Sequence, residues 1–232
     1  MATPGATLGD RITDLIGSDY ATVPSLSYKD LINSAYNEIV DLIYPEILIK
    51  YSRTPGILTE NSEWLVEDRK ILLVTRVDAD SNGVERQCAL LDRKQFEQSK
   101  DSGSIYSATA FSPVFTYDSG NAGASTLTVF PVPTADQKAR IFYFNYADNS
   151  TDLSGVTSAT LNTSYYLPGT LLHAIALKSS ICILNAYISN FVQDDEDMEL
   201  QQMIEKQIMS LTNMYTMEMA RFSDLKSEKG TE

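Results

Sequence analysis

Between Gly169 and Phe191 the only side chain with a full charge is Lys178, and Leu171, Leu172, Ile175, Leu177, Ile181, Ile183, Leu184, Ile188 and Phe191 recur at helical spacing. A helix apolar around most of its circumference must be enclosed, by other helices or by lipid. His173, Ser179, Ser180, Asn185, Ser189 and Asn190 interrupt the run every few residues, and no basic flank anchors it. That pattern predicts the centre of a helical bundle, not a membrane span. Pro168 suits the opening turn, where its missing N–H would be unpaired anyway.

The rest of the chain supplies partners for that helix. Leu8, Ile12, Leu15 and Ile16 predict a helix over Leu8–Ile16 that stops at Gly17. Ser27 and Asp30 resemble a capping box ahead of the one-sided stripe Leu31, Ile32, Ala35, Tyr36, Ile39, Val40 and Ile43, which ends near Pro45. A last helix is predicted from about Glu196 to Leu225, its seam formed by Ile204, Ile208, Leu211, Tyr215, Phe222 and Leu225 and interrupted by Glu218. The acidic run Asp194–Asp197 favours that helix start electrostatically.

Between these helices the period changes to that of strands. Lys70–Asp78 and Val84–Leu91 flank Asp80-Ser-Asn-Gly83, whose Asn-Gly pair suits a hairpin turn. Asp92–Lys100 reads as a short surface helix, and Pro113–Tyr117, Thr126–Phe130 and Ala139–Tyr146 as strands. Ile141, Tyr143 and Asn145 alternate with Phe142, Phe144 and Tyr146, which predicts a central strand covered on both sides. Asp148–Ser164 reads as a long loop. The expected fold is α+β: a bundle of about four helices interrupted by an antiparallel sheet with its hairpin. Its divisions fall at 1–59 (N-terminal bundle helices), 60–150 (β insertion), 151–165 (loop), 166–225 (C-terminal bundle helices) and 226–232 (polar tail).

Composition narrows the function. Lys and Arg total 18 against 31 Asp and Glu, a net charge of −13, the wrong sign for gripping phosphate backbones. The opening Met-Ala-Thr-Pro-Gly has neither a basic nor an apolar export region, so the expectation is synthesis in a cytosol. Cys88 and Cys182 are then two reduced, buried thiols. Asp78, Asp80, Asn82 and Gly83 match the first half of a calcium loop, but Ala89 stands where its bidentate Glu belongs. An acidic hairpin turn is expected there. His173 is the sole histidine, and no nucleophile elbow, Walker A sequence or dinucleotide fingerprint occurs. The reading assigns no catalytic, cofactor or metal-ligating residue.

Methionine is distributed unevenly: six of the seven, Met198, Met203, Met209, Met214, Met217 and Met219, fall in the last helix and not all on one face. With the seam already filled by Ile, Leu and aromatic residues, this is more apolar surface than one groove covers, which suggests a contact between subunits or with a partner. The tail Ser223–Glu232 is polar and free to order on that partner.

The order of elements, with Val129-Phe-Pro-Val-Pro-Thr134, Ile141-Phe-Tyr-Phe-Asn-Tyr146, and Tyr166-Leu-Pro-Gly-Thr-Leu-Leu-His-Ala-Ile-Ala-Leu177 running into Ile183-Leu-Asn-Ala-Tyr187, resembles the head-to-tail adaptor (connector) proteins of tailed bacteriophages. The resemblance covers about residues 25–225 and its motifs are structural. It implies a virion protein of the neck, made in the host cytoplasm: a ring, of twelve copies in such proteins, between the capsid portal and the next tail or neck protein, with genomic DNA passing through unread and no membrane or cofactor involved. It also implies portal or inter-subunit contacts through Met203, Met209, Met214, Met217, Met219, Phe222, Leu225 and Lys226, and a tail-side hairpin at Asp80, Asn82 and Gly83. The residues alone leave open a stopper or tail terminator, or a non-viral cytosolic α+β binding module or enzyme.

Overall fold

The structure, a computed structural model, describes residues 6–21, 27–50, 55–60, 63–66, 69–78, 83–119, 125–148, 150–165, 167–191 and 198–224. In chain order the elements are α1 (Leu8–Ile16), α2 (Ser18–Ala21), α3 (Tyr28–Leu42), α4 (Pro45–Ile49), β1 (Gly56–Leu58), β2 (Glu63–Leu65), β3 (Arg69–Val77), β4 (Glu85–Gln87) and β5 (Ala89–Leu90). There follow α5 (Arg93–Ser99), β6 (Val114–Ser119), β7 (Ser125–Phe130), β8 (Ala139–Asn145), α6 (Ser158–Ser164), α7 (Leu171–Phe191) and α8 (Met198–Asp224). The fold is α+β. It divides into a helical unit, Met1–Ile43 with Ala147–Glu232, and a β unit, Tyr44–Tyr146. The insertion thus begins and ends at 44 and 146, not at the expected 60 and 150, because Pro45 opens α4 and Gly56–Leu58 is already a strand.

In the helical unit α7 is enclosed by α1, α3 and α8. Leu171, Leu172, Ala174, Ile175, Ala176, Leu177, Ile181, Ile183 and Leu184 are all buried, as a helix apolar on every side requires. By length and composition α7 could span a membrane, yet here its apolar faces are taken by neighbouring helices. The expected count of about four helices is not matched, since six lie in this unit among the described residues. The long loop expected over Asp148–Ser164 contains one of them, α6, capped by Thr157, whose hydroxyl accepts from the Thr160 amide.

Capping also differs from expectation. At α3, Ser27 occupies the cap position but makes no side-chain bond to the backbone; its hydroxyl donates to the Asp30 carboxylate instead. A complete capping box forms at α1, where Thr7 Oγ1 accepts from Asp10 N at 3.1 Å and Asp10 Oδ2 accepts from Thr7 N at 2.9 Å. Two further amides of that first turn, Leu8 and Gly9, donate to the Val156 and Ser154 carbonyls. A Cβ on Gly9 would sit 3.2 Å from the Ser154 oxygen, so glycine permits this approach. Gly17, at φ +85°, ends the helix as expected.

The segment that re-enters the helical unit is pinned by α3. Asn37 Nδ2 donates to the Ala147 carbonyl at 3.0 Å while its Oδ1 accepts from the Ala147 amide at 2.8 Å. The buried Asn33 donates to the Asp148 and Thr151 carbonyls at 2.7 and 3.0 Å. Hydrogen bonds from Ser150 and Thr151 to Asp148 Oδ1 hold that carboxyl well down, to about 2. Its folded value lies below the ordinary 3.8, so the stability it contributes is present above that pH and lost as pH falls towards 2. Asp148→Asn, which keeps an acceptor oxygen, should flatten part of the acid limb of the helical unit's stability curve between about pH 4 and 2. Circular dichroism melts across that range check this; parallel acid limbs for variant and parent would contradict it.

The β unit is built from two four-stranded sheets, ordered β1-β8-β3-β4 and β2-β7-β6-β5. Pairing is antiparallel except between β5 and β6. The expected hairpin is present as β3 and β4, with Thr75 opposite Gln87 and Val77 opposite Glu85. Strand β8 lies between β1 and β3, an interior position as its two apolar faces predict. Leu58, Val74, Cys88, Phe115, Leu127, Val129, Ala139 and Ile141 form one core drawn from both sheets. Cys88 is the pivot between them: its amide bonds Val74 of β3, and the next amide, Ala89, bonds Pro113 ahead of β6. The short helix expected over Asp92–Lys100 forms as α5, opened by an Asp92 cap, but it buries Phe96 and Ser99 on one side.

Candidate interaction surfaces

On α8 the hydrophobic stripe facing the body is narrow. Only Ile204 and Leu211 are buried; Leu200, Ile208, Tyr215, Met219 and Phe222 are half-buried. Glu218, which interrupts the seam, is half-buried and accepts from Arg221 one turn on, at 2.7 Å. Away from this stripe Met203, Met209 and Met217 are 65%, 68% and 71% exposed, with Met198 and Met214 exposed beside them. Among the described residues, nothing covers the outward methionines. Of the anticipated contact residues, Met219 and Phe222 belong partly to the inner face, whereas Leu225 and Lys226 lie outside the described residues.

Where α7 packs on α3 and α8, polar groups converge. Lys178 Nζ donates to Glu38 Oε1 at 2.7 Å and lies 5.8 Å from the centre of the Tyr215 ring. Burial pushes the Tyr215 hydroxyl up to about 12, helped by the Glu38 charge. Burial likewise raises the Cys182 thiol, against the opposing effect of Lys178. A thiol held protonated is a poor nucleophile. The sequence reading missed this group because its members come from three distant segments, and only the isolation of Lys178 in an apolar helix could have signalled it.

In the hairpin, Asp80 and Asn82 lie outside the described residues, and Gly83 sits in the connection to β4. Asp78 is committed locally: Oδ1 accepts from Val84 N at 2.9 Å and Oδ2 from Arg86 Nε at 2.8 Å. The Arg86 hydrogen bond and charge hold its carboxyl below the usual range. These contacts tie the Asp78 carboxylate to Val84 and to Arg86 of β4. No cluster of three metal-ligating side chains occurs among the described residues.

Arg76, beside the hairpin, is buried without a carboxylate partner among the described residues. Its guanidinium donates to the Val77 carbonyl, to Gln137 Oε1 at 2.7 Å and to the Val132 carbonyl at 3.4 Å. Burial lowers its proton affinity and pushes the neighbouring Cys88 thiol up to about 12. The group anchors the Pro131–Lys138 connection to β3 and offers no reactive chemistry. A second apolar surface surrounds the segment after α5, where Ile105, Tyr106 and Phe111 are exposed and Arg86 lies over the Phe111 ring at 5.8 Å. Backbone bonds from Ser104 to Asp101 and from Ala108 to Ser99 fix that segment's path.

Charge is divided between the two units. The helical unit carries 18 Asp and Glu against seven Lys and Arg, a net −11, and the β unit 13 against 11, a net −2. No protein-family model matches the chain, and no curated protein sequence matches it.

Proposed function

We propose that the chain is a structural neck protein of a tailed-phage virion, a ring-forming adaptor that joins the capsid portal to the tail and forms part of the DNA channel. The observation that carries this reading is α8, whose inner stripe is satisfied while five methionines face outward. Unbranched thioethers adapt to a partner surface, and a closed ring covers every copy of such a face. The concentration of negative charge in the helical unit agrees with a conduit past which DNA slides, since a cationic wall would hold phosphates by counterion release. The near-neutral β unit, with Ile105, Tyr106 and Phe111 exposed, is suited to a protein neighbour in the tail.

Assembly tests the reading. Mass photometry of the purified chain alone should give small species, and addition of portal rings should drive it into a closed complex with a fixed number of copies. A chain that stays monomeric and never joins the portal would remove the adaptor reading.

A further inference from the structure

Helix α8 is attached unevenly along its length. Among its described side chains the two that are buried, Ile204 and Leu211, lie no further along than its midpoint, and there Gln207 also donates to the Leu15 carbonyl of α1 at 2.9 Å. From Thr212 to Phe222 no side chain is buried. What holds this half is a half-buried row, Met219 and Phe222 together with Tyr215, which lies over Lys178, itself held by Glu38. The Tyr215 hydroxyl is enclosed yet finds no hydrogen-bond partner among the described residues. Closure therefore leaves a desolvated donor unmet, which opposes the ring packing that favours it. Thr212 and Thr216 turn their hydroxyls onto the carbonyls of Ile208 and Thr212, a pattern that satisfies them within the helix and asks nothing of the body.

We infer that the distal half of α8, Thr212–Phe222, is a strap that opens independently of the helical unit's core, and that the relay Glu38–Lys178–Tyr215 holds it shut. The inference does not rest on the neck reading. Opening frees the Tyr215 hydroxyl for water, uncovers α7 around Lys178 and Cys182, and adds Tyr215, Met219 and Phe222 to the surface already made by Met214 and Met217. Cys182, half-buried, stands one turn beyond Lys178 on α7, next to the position over which Tyr215 sits, so its thiol reports on the strap, and the buried Cys88 in the β unit is an internal reference.

Hydrogen exchange along α8, read together with alkylation of the two thiols by iodoacetamide, tests the strap. Protection should step down between Leu211 and Thr212 and stay level beyond it, unlike the smooth gradient of a fraying end. Tyr215→Ala and Lys178→Met should each speed exchange over Thr212–Phe222 and alkylation of Cys182 by roughly five- to thirtyfold, the range set by loss of a cation–π contact. Exchange over Glu199–Leu211 and alkylation of Cys88 should not change. Tyr215→Phe, which keeps the ring and deletes the unmet hydroxyl, should leave the strap as closed as in the parent or more so. A smooth gradient along α8, an equal acceleration through α1 and α7, or a phenylalanine variant as open as the alanine one would each overturn the proposal.

Discussion

Replacing Met203, Met214 and Met217 together by Glu should abolish ring assembly on the portal while leaving the chain folded. All three side chains are exposed in the single chain, and surface substitutions of this kind stay within about 0.5 kcal/mol of neutral for stability. In an assembled contact the same positions would place carboxylates against an apolar partner. Leaving a buried charge unpaired costs about 3–5 kcal/mol, so even one buried Glu should weaken association by roughly a hundredfold or more. The variant also adds three negative charges to a chain already at −13, which strengthens repulsion between copies. The matching Met→Leu triple, similar in volume and polarity, should assemble. Sedimentation of portal mixtures reads both outcomes. Assembly of the Glu triple at parental concentration would exclude the outward face of α8 from the contact.

The second large effect lies in the core. Leu184 is completely enclosed in α7, the helix on which α1, α3 and α8 all pack. Leu184→Ala should cost about 2–5 kcal/mol through lost transfer free energy and the cavity left behind. For a unit of this size that lowers the midpoint of its thermal transition by on the order of 10 °C. Leu184→Ile, nearly volume-conserving, should cost under about 1.5 kcal/mol. Calorimetry of both variants would show whether the helical unit melts separately. A Leu184→Ala midpoint within a degree of the parent would mean that α7 is not the centre of that unit's stability.

Strong local periodicity was the part of this fold legible in the sequence. Leu8–Ile16 with its Gly17 stop, α7 with its lone Lys178, the pairing of β3 with β4 and the aromatic strand β8 each declare themselves within their own residues. What escaped was decided over long range. Asn33 and Asn37 look like ordinary polar positions on α3, yet they bind carbonyls more than a hundred residues away and turn a presumed loop into a fixed re-entry segment. The α3 stripe ends just before Pro45 as expected, but the same proline stands at the first position of α4, where its missing N–H costs nothing, and that short helix was not anticipated. Strands β1 and β2, three residues each, are too short to carry a period and are defined by pairing with β8 and β7. Ser27 reads as the cap in the sequence, yet local geometry completes a capping box at Thr7 and not at Ser27.

The candidate surface was legible for a related reason. Five of the methionines anticipated as excess apolar surface are exposed, because a helix needs only one stripe to dock and these residues lie off it. The relay at Lys178 was not legible, because side chains from α3, α7 and α8 meet only once the bundle has formed.

Electron microscopy of purified virions tests the neck assignment most directly. The adaptor reading predicts the chain as a single closed ring at the head–tail junction, the helical unit bounding a DNA-wide channel and α8 in contact with portal or a neighbouring copy. Its absence from the virion, or its presence in the capsid lattice or the tail fibres, would contradict that assignment.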